Sequence, residues 1–244
     1  AGPDWLTPET AATLEQATDL VGYGPYVDRV AAGSQQRHTS DNREELDRAR
    51  HALDMAAAGA RVAVVSGGDP GVFAMAAAIF EALEADDRDR WEGLDVAVEP
   101  GVSAMQAAAA RVGAPLGNDF CVMSLSDNLK PWAVVERRIR LAAEADFALA
   151  FYNPISRARP WQLGTALDAL RGIRSDDTPV ILATAVGRGE REHTRITTLA
   201  RVEPQAADMR TLVLVGASTT RVFRHAGRDY VYTPRSYGGG GTAA

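Results

Sequence analysis

Three glycines, one aspartate and one proline follow a β-branched run in Arg61-Val-Ala-Val-Val-Ser-Gly-Gly-Asp-Pro-Gly-Val-Phe73. A short apolar run ended this way reads as a buried parallel strand entering a turn and then an Ala-rich helix. Gly67 and Gly68 let backbone approach something bulky, and a helix N-terminus offers free N–H groups. The expected chemistry is a small-molecule cradle at the carboxyl end of a strand, which points to an enzyme. A tight turn with Asp69 capping the helix would explain the same residues. Gly-x-Gly-x-x-Gly is absent and no Gly-Lys-Ser/Thr follows, so neither a dinucleotide fingerprint nor a Walker loop is present.

Pro100-Gly-Val-Ser-Ala104 repeats the pattern, although Ser103 could equally be a helix N-cap. Two such turns at the ends of adjacent parallel strands would frame one crevice, the usual ligand position in an open α/β sheet. Ser126-Asp-Asn-Leu-Lys-Pro-Trp132 is a polar loop between a strand and a helix. Asp127 or Asn128 could simply cap that helix. Of 26 cationic residues, however, Lys130 alone is lysine, and an ammonium is compact and titratable where a guanidinium is neither. Phe151-Tyr-Asn-Pro154 ends a strand in a turn that needs no functional role for Asn153. The four histidines (His38, His51, His193 and His225) show no metal-ligand spacing, so no metal is expected. Cys121, the sole cysteine, lies in an apolar run and reads as a small buried hydrophobe.

These groups need a scaffold, and the patterning predicts strands alternating with helices, hence α/β with parallel pairing at least in the first half. Thr7 at the N-cap and Pro8 at the first helical position open a helix. A strand is expected at 19–23, broken by Gly24-Pro25, with a loop to Ser40. Asp41 and Glu44 have capping-box spacing for a helix carrying Leu46, Ala49, Leu53 and Ala56 on one face and Arg43, Asp47, Arg48 and Asp54 towards water. Further strands are expected at 61–65, 94–99, 120–125, 147–152, 180–184, 193–199 and 211–215. Helices are expected over 131–145 and 160–171. The Gly/Pro-rich 112–119 stretch suggests domains at 1–116 and 117–237, with 238–244 a flexible tail.

At 244 residues with 46% apolar and 24% charged content, the composition is ordinary for a soluble globular protein. The net charge of −6 argues against a nucleic-acid partner. One cysteine excludes an internal disulfide and fits a reducing cytoplasm. No apolar run approaches membrane-spanning length.

The ordered set Ser66-Gly-Gly-Asp-Pro-Gly-Val-Phe73, Pro100-Gly-Val-Ser-Ala104, Gly113-Ala-Pro-Leu116, Asp119-Phe120, Ser124-Leu-Ser-Asp-Asn-Leu-Lys-Pro-Trp132, Phe151-Tyr-Asn-Pro154 and Tyr232-Thr-Pro-Arg235 resembles the tetrapyrrole methylases of cobalamin biosynthesis. The Lys130 loop and the Thr-Pro-Arg tail resemble the branch acting at carbon 17 of precorrin-3B. The resemblance implies two α/β domains with S-adenosylmethionine in the cleft between them, and a homodimer. It implies Gly67, Gly68, Asp69, Val72, Ser103, Ala104, Asn153 and Gly187 as cofactor-binding residues. Ring contraction to precorrin-4 accompanies methylation in that branch and requires proton movement, for which Lys130, Asp127 and Ser126 are the candidates. Arg43, Arg157 and Arg159 are candidates for holding the many substrate carboxylates. The family opens with an apolar strand and a Gly-Pro-Gly turn, whereas this sequence starts at Ala1-Gly-Pro-Asp-Trp-Leu-Thr-Pro8. The first strand is therefore expected to be missing or upstream. Rival expectations are a methylase of the cobalt-loaded intermediate, a non-catalytic tetrapyrrole carrier, and a nicotinamide oxidoreductase.

Overall fold

The computed structural model describes residues 3–31, 33–41, 44–85, 88–156 and 158–237. Its internal contacts define two compact units, Ala1–Ser103 and Ala104–Ala244.

In the first unit, α1 (Pro8–Gln16) starts where Thr7 Oγ1 accepts a hydrogen bond from Thr10 N at 3.0 Å. Then come β1 (Asp19–Tyr23), α2 (Gly24–Val30), β2 (Gln36–Ser40), α3 (Glu45–Ala57), β3 (Val62–Val65) and α4 (Met75–Ala85). The strands form a parallel sheet in the order β2-β1-β3. Leu20, Val27 and Val65 form a small core with Leu14 and Val30 around them. A second cluster joins Ala49 and Leu53 of α3 to Met75, Ala78, Ile79 and Ala82 of α4.

Several expectations fail here for physical reasons. The segment 24–40 is not a loop: Pro25 sits in the first turn of α2, where its missing N–H costs nothing, and the polar run 36–40 pairs as an edge strand. Glu44, not Asp41, is the N-cap of α3, and its side chain makes no cap bond. Leu46 is 41% exposed instead of packed. Arg48 is not in water but 5% exposed, because its guanidinium serves carbonyls at the end of β2. It donates to Ser40 Oγ at 2.8 Å, to the Ser40 carbonyl at 3.2 Å and to the Asp41 carbonyl. The run 94–99 forms no strand. Leu94 and Val96 pack on the α3–α4 cluster, but no described strand pairs with the run.

The second unit contains α5 (Ala104–Val112), β4 (Gly113–Ala114), β5 (Phe120–Ser124), α6 (Trp132–Glu144), β6 (Ala148–Tyr152), α7 (Gln162–Arg171), β7 (Pro179–Thr184), β8 (His193–Thr198), β9 (Thr211–Val215), β10 (Arg221–His225) and β11 (Arg228–Tyr232). A five-stranded sheet runs β5-β6-β9-β7-β8, with only β5 and β6 parallel. Alternation separates its faces. Leu149, Phe151, Leu182 and Val213 join α6 and α7 in one core, whereas Ala150, Ile181, Ala183 and Leu214 join α5 in another. A small sheet, β10-β11-β4, was not expected from the sequence. Every residue of β10 is exposed, so no burial pattern marks it, and β4 is two residues long. The sequence reading placed a domain edge at 116; in the structure α5 and β4 pack within the second unit, where β4 pairs with β11. The proposed tail 238–244 lies outside the described residues. Among those described, no helix is long and apolar enough to cross a membrane.

Removing the buried guanidinium takes its donors from the Ser40 carbonyl and Ser40 Oγ, and leaves the Asp41 carbonyl with only the 3.3 Å bond from Glu44 N. Arg48→Met is expected to lower the stability of the first unit by roughly 1–3 kcal/mol, read from the urea midpoint at constant slope.

Candidate active site

In the first unit the two glycine turns are held together by one side chain. Asp69 Oδ1 accepts from Gly71 N at 2.8 Å within its own turn, and Asp69 Oδ2 accepts from Gly101 N at 3.1 Å in the other. Approach is close: a Cβ on Gly101 would lie 2.7 Å from the Gly68 carbonyl oxygen. Gly68 itself has φ +96°, a backbone state that L side chains rarely adopt. Gly67 lies against the Tyr26 ring, where an added Cβ would come within 2.9 Å. Ser66 Oγ accepts from Met75 N at 3.3 Å, tying the strand end to the start of α4. Val72 N donates to the Asp69 carbonyl at 3.2 Å, and Ser103 is buried at 3% exposure. The turns thus present small residues and backbone polar groups. Asp69 retains acceptor capacity on both oxygens, a carboxylate having about four lone-pair sites.

In the second unit, the ends of β5 and β6 are joined in a similar way. Asn153, with φ +52°, donates from Nδ2 to Ser124 Oγ at 2.9 Å, and Ser126 N donates to the same oxygen at 3.3 Å. Asn153 holds the strand end in a left-handed turn, as asparagine tolerates better than most residues. Gly187 N donates to Glu192 Oε2 at 2.8 Å, and Arg111 holds that carboxylate in an ion pair. Ala104 opens α5 and is exposed.

The loop between β5 and α6 is braced by a clamp that the sequence reading missed. Arg159 Nη1 donates to Asp127 Oδ1 at 2.6 Å, and Gln162 Nε2 donates to the same atom at 3.2 Å. Asp127 therefore does not cap α6, whose N-cap is Pro131 without a side-chain bond. Burial alone would raise the Asp127 carboxyl, but Arg159 and Gln162 outweigh it and hold the group below the ordinary carboxylate range. The clamp stabilises the folded loop at neutral pH and weakens as pH falls through that depressed value. Lys130 Nζ donates to the Ser126 carbonyl at 3.3 Å. Burial lowers the Lys130 pKa, the Arg138 charge lowers it further, and Asp127 opposes them only in part. Behind the loop, the Trp132 and Trp161 rings meet edge to face with centroids 4.8 Å apart.

Lys130, Asp127, Ser126 and Arg159 are thus gathered in one loop cluster, and Gly67, Gly68, Asp69 and Val72 in one turn. Arg159 is engaged with Asp127 through its guanidinium. Arg43 and Arg157 lie outside the described residues. The Asp127–Arg159 pairing had no local sequence signal, since 32 positions separate the partners.

The model of the tetrapyrrole (corrin/porphyrin) methylases matches residues 1–203. The chain belongs to this family. Among relatives of this methylase is a precorrin-3B C(17)-methyltransferase of Sinorhizobium sp., 53% identical over 96% of the chain and 92% of the relative. A Salmonella typhimurium protein described as "Probable cobalt-factor III C(17)-methyltransferase" is 40% identical over 95% of the chain and 93% of its own length. The crystal structure of the methyltransferase CobJ superposes with TM-score 0.90 at 51% identity, covering 96% of the chain and 95% of that structure.

Two measurements test the geometry of the methylase. Gly101→Ala forces a methyl group onto a backbone oxygen, so a loss of roughly 1–3 kcal/mol in first-unit stability is expected by urea unfolding. Because Lys130 is the only lysine and its pKa is lowered, its free amine forms at lower pH than an ordinary side chain. Acetic anhydride labelling followed by peptide mass spectrometry should reach half its limiting rate below pH 10.5, the unperturbed lysine value.

Proposed function

We propose that the chain methylates carbon 17 of precorrin-3B with S-adenosylmethionine as donor, accompanied by ring contraction to precorrin-4 in cobalamin biosynthesis. The single observation that carries this reading is 53% identity to a precorrin-3B C(17)-methyltransferase across nearly the whole of both chains. The first-unit turns fit the donor, since Asp69 keeps free acceptor sites and Gly67 leaves backbone reachable. When bound, the donor supplies an activated methyl group whose leaving group is neutral, so positioning matters more than strong acid or base groups.

On this reading Gly67, Gly68, Asp69, Val72 and Ser103 hold the donor through backbone and carboxylate contacts, and Ala104, Asn153 and Gly187 are the further residues that the family resemblance assigns to donor binding. Lys130 moves the proton that ring contraction demands, since its lowered pKa suits that task better than an ordinary lysine's. Asp127, kept ionised by Arg159, accepts hydrogen bonds and orients the loop, and the Ser126 carbonyl fixes the Lys130 ammonium. Arg43 and Arg157 meet substrate carboxylates, and Arg159 adds its charge beside Asp127. The enzyme works as a cytoplasmic homodimer, as the resemblance implies. The Salmonella relative favours a second reading with cobalt-factor III as substrate, at lower identity.

Incubation with methyl-labelled donor and precorrin-3B, read by mass spectrometry, should give a product carrying one labelled methyl group. Lys130→Met is expected to lower kcat by about 10²-fold or more with donor affinity unchanged in calorimetry with S-adenosylhomocysteine. Binding without methyl transfer would make the protein a carrier, and turnover of only the cobalt-loaded macrocycle would establish the second reading.

A further inference from the structure

The segment between β5 and α6 holds two leucines in opposite surroundings. Leu125 is fully buried, whereas Leu129, four residues on, is 90% exposed. Among the described residues no other large apolar side chain is as uncovered. A lone exposed leucine is ordinary on a protein surface. This one stands apart because the loop beneath it is tied down along its length. Ser126 N donates to Ser124 Oγ at 3.3 Å, and Asn128 N donates to Ser126 Oγ at 3.4 Å. Lys130 Nζ closes the loop on the Ser126 carbonyl, and Asp127 is gripped by Arg159 and Gln162 from the segment entering α7. The loop is therefore ordered by its own bonds, and that order directs Leu129 towards solvent.

The segment that grips the loop carries a second uncovered apolar side chain. Trp161 stands between Arg159 and Gln162 in the chain and is 42% exposed. Next to Leu129 in sequence, the Lys130 ammonium commits one of its three donors to Ser126 and keeps the others for a ligand. Apolar surface and a hydrogen-bond donor are thus offered from one braced loop. A flat macrocycle with apolar faces and a polar, carboxylate-bearing edge satisfies both at once. A purely apolar partner would strip water from the ammonium and return no acceptor.

We propose that Leu129 is a substrate-contacting residue, its side chain lying against the apolar face of the tetrapyrrole beside the polar group that Lys130 serves. The inference rests on the proposed function for the identity of the substrate and adds a residue to that site. Because the loop is already ordered, covering Leu129 removes apolar surface from water without further ordering of backbone. The contact is the same before and during methyl transfer, so it strengthens binding and leaves the chemical step alone.

Leu129→Asn keeps the length of the side chain and removes its apolar character. Its KM for precorrin-3B should rise about tenfold with kcat within about twofold of the unsubstituted chain. Leu129→Met should restore KM to within about threefold, since it conserves volume and hydrophobicity. Affinity for S-adenosylhomocysteine in calorimetry and the urea midpoint should both stay unchanged, because an exposed side chain supports neither. Quenching of tryptophan fluorescence by precorrin-3B reads the Kd without turnover. A Kd about tenfold weaker for Leu129→Asn upholds the contact even if methyl transfer itself fails. Unchanged KM and Kd overturn the proposal while leaving the proposed activity intact, and no binding of precorrin-3B by the unsubstituted chain overturns both. A fall in kcat alone or in the urea midpoint overturns it by assigning Leu129 to the structure of the loop. Conversion of a dimer to monomers in sedimentation overturns it by naming a second copy as the cover.

Discussion

The Asp69 carboxylate is the constraint on which the first unit's candidate site depends. One oxygen closes its own turn on Gly71 N and the other reaches across to Gly101 N. Two glycine turns 32 positions apart, only the first of them at a strand end, thereby share one anion. The close approach of Gly101 to the Gly68 carbonyl leaves the arrangement almost no slack. A buried or half-buried carboxylate bonded to two N–H groups needs no cation to hold its position. The site can therefore remain made of small residues, which suits a donor recognised mostly through backbone.

The second unit reaches a comparable end with different residues. Ser124 Oγ accepts from Asn153 and from Ser126 N, so a hydroxyl joins β5, β6 and the loop beyond. From there the Asp127–Arg159–Gln162 clamp carries rigidity to the segment bearing Lys130. Asp127 is a candidate proton-transfer group in the sequence, and in the structure its Arg159 and Gln162 partners hold its carboxyl below the ordinary range. The distinction matters because an ionised anchor gives the neighbouring ammonium a fixed electrostatic environment, whereas a titrating one would vary it.

Much of this was legible in the residues. The turn after β3, the capping by Thr7 and Pro8, and the alternation of strands and helices all leave local patterns. The strand content of 221–232 was invisible, because β10 is exposed at every position and its pairing with β11 depends on no burial. Arg48 was misplaced for a related reason: helical periodicity assigns charge to water, and only tertiary structure brings the carbonyls of Ser40 and Asp41 to its guanidinium. The run 94–99 shows the opposite limit. Its alternation specifies an extended conformation, but pairing is a property of neighbours and not of the segment itself.

The tryptophan pair behind the Lys130 loop has an optical consequence. Trp132 starts α6 and Trp161 is the N-cap of α7, so the two indoles bridge the helices flanking the clamp at a fixed angle of 77°. Chromophores this close couple their transitions, and the sign and splitting of the resulting circular-dichroism couplet depend on that angle. The second unit thus carries a built-in spectroscopic gauge, able to register loop rearrangement in unmodified protein without any attached dye.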